Sequence, residues 1–229
     1  MAIKAQKTGL WFQNSTTGVV IKVQCAKSIS GLSAERDQAE TTCLDDDART
    51  YEPGLATPGV ASVAIDPDPK YTGHKELIAL HQTGEKVNWA VGWSDGTSLP
   101  TAFIGVTGGT ISNGGSGYSG TVTVAATGGT GSGFSATAVL TGGAVTGLTD
   151  IVPGTYSVAP TALTFTGGGG TGAAGTPTTA WRIVTGAART WQTFNAYVSN
   201  VPFDFQPGQV VTSTVGLQLS GFATFTPKP

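Results

Sequence analysis

GSGYSGTVTVAATGGTG (Gly115–Gly131) and PGTYSVAPTALTFTGGGGTG (Pro153–Gly172) are two imperfect copies of one pattern. Each reads as a tyrosine-bearing turn, an alternating strand and a glycine loop, and matching positions lie 38 to 41 residues apart. Two such units can face each other in a small all-β module. They sit in a block, Gly105–Gly175, that holds 21 of the chain's 34 glycines in 71 residues. The block has no Lys, Arg, His, Trp or Cys, and Asp150 is its only acid. Low charge and abundant glycine would permit disorder. However, Val, Leu, Ile and Phe recur at alternate positions, which selects short strands and tight turns. All five Trp, both Cys, both His and 25 of the 26 charged residues lie outside the block. The chain therefore reads as a discontinuous domain, residues 1–100 and 180–229, interrupted by an inserted glycine-rich β module, residues 101–179.

Working outward, 229 residues suffice for one large or two small cores. A formal charge of −2 gives no overall basic field to draw in nucleic acid or anionic membrane. No apolar run approaches a membrane span, so no membrane insertion is expected. Met1–Lys7 has charges but no apolar region behind it, so no secretory signal is expected either. Two cysteines, Cys25 and Cys43, are too few for a disulfide scaffold or a four-ligand zinc site, and reduced, buried thiols are the expectation.

The flanking sequence is dominated by strand patterns. Leu10-Trp11-Phe12, a polar turn, and the alternation from Val19 to Cys25 read as a hairpin. Ser28–Leu55 is long, polar and aperiodic, and reads as a functional or partner-covering loop. Val60–Ile65 reads as a strand stopped by Asp66-Pro67-Asp68-Pro69. Tyr71–Gly84 is the one helix, with Leu77, Ile78 and His81 on its apolar face and Gly84 as its left-handed cap. On this reading His81 borders the core and His74 faces solvent. Lys86–Trp93 and Trp191–Val198 alternate, and Val211, Ser213, Val215, Leu217 and Leu219 share one face of a last strand. The expected fold is mainly β (α+β): a β-sandwich with one flanking helix, plus an inserted small all-β domain.

Candidate chemistry is thin. Two G-x-G-x-x-G matches, Gly115–Gly120 and Gly170–Gly175, lack the helix that a phosphate site needs. His74 and His81 are spaced seven apart, whereas zinc helices use i, i+4. No serine sits in a G-x-S-x-G elbow. Glu76 and Glu85 read as solvated surface rather than an acid/base pair. Asp45-Asp46-Asp47 lacks the ligand alternation and glycine of a calcium loop. Tyr118 and Tyr156, amid polar turns, are candidates for weak glycan stacking, against the simpler reading that each pins its own turn. Neither a catalytic nor a cofactor site is expected. A charged long loop, alternating strands and a spliced-in module are features of an assembly protein.

Several segments carry a family resemblance. They are Val23–Leu32, Glu35-Arg36-Asp37-Gln38, Thr42-Cys43-Leu44-Asp45, Gly84–Gly96, Arg189-Thr190-Trp191, Asn195–Ser199, Pro202–Phe205 and Thr226-Pro227-Lys228. In this order they resemble the major tail tube protein of long-tailed, non-contractile bacteriophages. The resemblance covers most of residues 1–100 and 180–229. It departs at residues 101–179, where such proteins are expected to have a short connection; that departure implies extra material on the outside of a tube. The resemblance implies a structural, non-enzymatic virion protein, assembled in the host bacterial cytoplasm. It implies six copies in a ring, their sheets extended edge to edge, and rings stacked into a hollow tube for phage DNA. Other tail proteins, such as tape measure, tail terminator and tail tip, are the implied partners. The loop after the second strand, about Ser28–Leu55, is placed at subunit or ring contacts, with Glu35, Arg36, Asp37, Asp45, Asp46 and Arg49 forming complementary faces. The lumen should be neutral or acidic, since clustered Lys/Arg would hold DNA. Two rival readings are a glycan- or cell-surface-binding adhesin module, and a hydrolase with coupled titrating groups.

Overall fold

The computed structural model describes residues 3–14, 16–45 and 47–229. Along the chain run β1 (Gly9–Gln13), β2 (Val20–Val23), β3 (Ala26–Ser30), β4 (Ala34–Glu40), β5 (Tyr51–Pro58), β6 (Val60–Ile65), α1 (Thr72–Thr83) and β7 (Val87–Gly92). Six strands follow: β8 (Thr101–Ser116), β9 (Val122–Thr127), β10 (Thr130–Thr141), β11 (Ala144–Val158), β12 (Ala162–Gly167) and β13 (Thr171–Val184). The chain ends with β14 (Trp191–Asn200), β15 (Ser213–Leu219) and β16 (Thr224–Thr226). The fold is mainly β, with α1 its single helix among the described residues.

The chain divides into two compact units. The first comprises Met1–Asn14, Val20–Pro100 and Thr185–Pro229. The second comprises Thr101–Val184 together with the turn ending at Val19.

In the first unit an antiparallel sheet runs in the order β2-β1-β7-β14-β15-β6-β3, and β16 pairs with the start of β14. Every pairing in it is antiparallel, so β2 and β3, at opposite ends of this order, run in the same sense. They are joined by Gln24 and Cys25 alone. They are thus one strand that turns a corner, leaving β1 and joining β6, and the sheet wraps sandwich-like around its core. Cys25 makes the corner with φ 52°, in the left-handed region that non-glycine residues seldom enter. The inner face carries Leu10, Phe12, Val63, Trp89, Phe194, Val215 and Leu217, all buried, with Leu77 and Leu80 of α1 closing one side. Trp89 stands between Phe12 and Phe194, at ring-centroid distances of 5.1 and 6.2 Å.

Helix α1 ends, as expected, at Gly84 with φ 65°, whose N–H reaches the carbonyl of Leu80. Its buried residues are Gly73, His74, Leu77 and Leu80. The expected roles of the histidines are therefore reversed. His81 is exposed. His74 is buried, accepting the Asp68 N–H at Nδ1 (2.9 Å) and donating from Nε2 to the carbonyl of Gln24 (2.8 Å). The reason is the corner: α1 packs against β2 so closely that a Cβ on Gly73 would collide with the Lys22 carbonyl. The expectation of buried thiols also fails. Cys25 and Cys43 are both exposed and neither is in a disulfide: Cys25 sits at the turn between β2 and β3, and Cys43 in the segment between β4 and β5.

The outer face of the same sheet has its own buried cluster. Arg189, 4 % exposed, lies between the rings of Trp11 (5.1 Å) and Trp191 (5.2 Å). Its guanidinium donates to the carbonyls of Lys7, Gly92, Trp93 and Ser98. Gly92 leaves room for it, since a Cβ there would lie 2.6 Å from Nε. Burial pushes the Arg189 pKa down, partly offset by the charge of Asp95. Nearby, Asp95 accepts from the Thr190 hydroxyl and amide, and the hydroxyl bond leads in holding its carboxyl below the ordinary value. Trp191 Nε1 donates to the Gly186 carbonyl at 2.9 Å. These bonds tie residues 92–98 to residues 186–191, which flank the points where the chain leaves the first unit at Pro100 and re-enters it at Thr185.

The second unit is a closed barrel, β10-β11-β8-β13-β12-β9. The repeated strands β9 and β12 lie side by side, with Val124 opposite Phe165. Closure leaves no strand edge along this path. Tyr118, Val122, Val124, Phe134, Tyr156 and Leu163 belong to its core. Two of the repeat's features depart from the sequence reading. Tyr156 lies within β11, not in a turn. Both tyrosines are buried, at 6 % and 3 % exposure, so neither offers a ring face to a sugar. Tyr118 instead accepts a bond from the Ala173 N–H, and Gly170 packs flat on its ring, where a Cβ would have no room.

Candidate assembly surfaces

Ser28–Leu55, expected as a loop, is largely a hairpin. β4 and β5 form a two-stranded antiparallel sheet that pairs with no other named strand; one side-chain bond, from Gln218 Nε2 on β15 to the Pro58 carbonyl at 3.3 Å, reaches its base. Ala34 pairs with Pro58 at its base and Glu40 with Tyr51 near its tip. The base is closed by Gly59 N–H donating to the Ser33 carbonyl at 3.0 Å. The tip is closed by Thr41 N–H donating to the Thr50 carbonyl at 2.9 Å and Thr50 N–H to the Thr42 hydroxyl at 3.1 Å. The strand signal is absent from the sequence because neither face of this hairpin is buried within one chain. Alternation appears only where one face meets a core.

Glu35, Arg36 and Asp37 lie on β4, and Asp45 and Arg49 in the tip between β4 and β5. All five are exposed. Asp46 lies outside the described residues. Arg49 approaches Glu40 at 3.8 Å, a solvent-facing pair that contributes little to stability. Arg36 lies over the Phe222 ring at 5.8 Å, near the arm's base. The arm, residues 34–58, carries seven carboxylates and two cations, a net charge of −5. The whole chain is −2, so the rest of it is +3.

Charged residues are only part of the arm's surface. Leu44 at the tip is fully exposed, Leu55 is 84 % exposed, and Tyr51 is half-exposed. None of these three is among the contact residues expected from the sequence. Their one sequence signal is a lone leucine between a cysteine and three aspartates. An isolated two-stranded hairpin is marginal in water, and its two open edges and apolar side chains suit contact with another chain. The corner strand offers further edges: β2 and β3 end the sheet order, so each has one side unpaired in that sheet. Exposed apolar side chains also gather near the C-terminal end of the chain, including Phe203, Phe205, Val210, Phe222 and Phe225.

Among the described residues, no three of His, Cys, Asp or Glu are grouped to hold a metal ion. No helix among them is long and apolar enough to cross a membrane.

Comparison with known proteins adds two findings. The family model described as phage tail tube, TTP, lambda-like, matches residues 1–229. A curated relative, "Structural protein 3" of Pseudomonas phage PAJU2, is 47 % identical over 106 residues. That alignment covers 46 % of this chain and 65 % of the relative, so the match spans just under two-thirds of the relative's length.

Proposed function

Since the chain belongs to the lambda-like phage tail tube family, we propose that it builds the tube as stacked rings of six copies through which phage DNA passes. That it is a structural component of the virion follows from the family itself. The finer reading rests on one observation above all: a two-stranded arm, exposed on both faces, with a net charge of −5 on a body of +3. A free monomer gains nothing from such an arm, whereas a repeated copy supplies an oppositely charged surface for it. Within a ring, the open sides of β2 and β3 would extend the sheet from copy to copy, an edge-to-edge closure that hides strands a monomer must guard. Glu35, Arg36, Asp37, Asp45, Asp46 and Arg49 are the proposed contact residues between subunits or rings. Tape measure, tail terminator and tail tip proteins are the proposed partners at the ends and inside.

The inserted module, residues 101–179, which makes up most of the barrel, is proposed to stand on the tube's exterior. Its strands close on themselves and its charge is nearly nil, so it offers neither an edge for ring closure nor a cationic wall for DNA. The adhesin reading loses its proposed stacking residues, because Tyr118 and Tyr156 are core. The test is rotational averaging of end-on views of assembled particles. Six-fold rings with an open centre support the proposal; another symmetry, or a filled centre, overturns it.

A further inference from the structure

An apolar cleft of about 230 Å³ opens between α1, the turn before it and the loop leading into β15. Pro67, Pro69, Ile78, Phe203, Phe205 and Val211 line it, together with Asp68, His74 and Lys75. Phe205 is 73 % exposed, so one wall is left in water by a single chain. Exposed apolar clusters of this kind mark contact sites. Lys75 stands in the lining and Lys70 follows Pro69 at its edge; neither ammonium is in an ion pair among the described residues. The Asp68 carboxylate is turned to the Lys70 backbone N–H at 2.8 Å.

We propose that the occupant of this cleft is the arm tip of a second copy of this chain, with Leu44 seated among the prolines and phenylalanines. Two features single out Leu44. It is a fully exposed leucine on a protruding turn, a convex shape for a concave site, whereas Leu55 lies along the hairpin. It is also close in sequence to Asp45 and Asp47, both exposed, which would meet Lys70 and Lys75 at the rim. The apolar contact supplies most of the affinity and the charges set orientation. This inference rests on the tube reading only in supplying a neighbouring copy.

Cys43, exposed beside Leu44, makes the test direct. In a Cys25→Ser background, Ala79→Cys places a second thiol beside the cleft, next to Ile78 and one helical turn from Lys75, and Glu85→Cys, beyond the far end of α1, serves as control. Mild oxidation is followed by a non-reducing gel, with electron microscopy of the same samples. The expected result is an intermolecular disulfide in assembled protein, joining Cys43 of one copy to the thiol introduced at position 79 of another, and absent from the control. Leu44→Asp should lower it about tenfold and Leu44→Met should not. Tubes that form without the link overturn the docking and leave the tube reading intact. Protein that links at high concentration without forming tubes supports the docking and counts against the tube. No link in either state overturns the docking.

Discussion

Arg189 shows how one residue can hold a splice point. It is buried between two indole rings and satisfies four backbone carbonyls from three stretches of chain. Replacing it with methionine keeps much of the volume and removes every donor, leaving those carbonyls unsatisfied. Arg189→Met should therefore cost roughly 3 kcal/mol, read by denaturant unfolding. Asp95 gives a pH signature. Its carboxyl is held below the ordinary range by Thr190, so folding favours the charged form. A group depressed in this way adds stability above its unfolded pKa, about 3.9, and loses it as pH falls through the lower folded value. Acid unfolding followed by tryptophan fluorescence should be less steep below about pH 4 in Asp95→Asn than in the parent. Neither residue is legible in the sequence, because their partners lie 91 and 95 residues away along the chain. His74 and His81 exchange their expected roles for a related reason. Periodicity locates a helix's apolar face only approximately, and here the corner at Gln24 turns it toward His74.

At the scale of elements, legibility follows burial. β6, β7, β14 and β15 each have one face on the core, and their alternation or apolar run shows plainly in the sequence. β4 and β5 have no buried face, so they read as loop. The candidates Glu35, Arg36 and Asp37 are legible as a charged segment, but the hairpin that carries them is not. The arm's independence leads to an expectation. Its base is bridged by Gly59 N–H to the Ser33 carbonyl, so residues 34–58 can be replaced by a short turn without breaking a pairing of the main sheet. That variant should unfold with near-parental cooperativity and fail to assemble, measured by circular dichroism and light scattering. Parental assembly would remove the arm from the account.

For the whole molecule, composition marks the glycine-rich block, and the repeat places β9 and β12 in one small module, where they pair. The corner that one strand turns at Cys25, from β1 to β6, is invisible, since a two-residue turn in sequence resembles any other. Thr101 pairs with Val184 across the first and last barrel strands, so the ends of the module are neighbours. Deleting residues 101–184 and joining Pro100 to Thr185 through a short glycine link should leave the first unit folded, with Arg189 still in place. In assembled material, the deletion should remove outward knobs and leave the tube wall unchanged.

The most direct measurement is negative-stain electron microscopy of the purified full-length protein across a concentration series, alone and seeded with preformed tail tips. Hollow, periodically striated tubes bearing regular outward knobs are the expected result. Solid fibres, or particles that stay monomeric at every concentration and in the presence of seeds, would contradict the assignment of this chain to the tube wall.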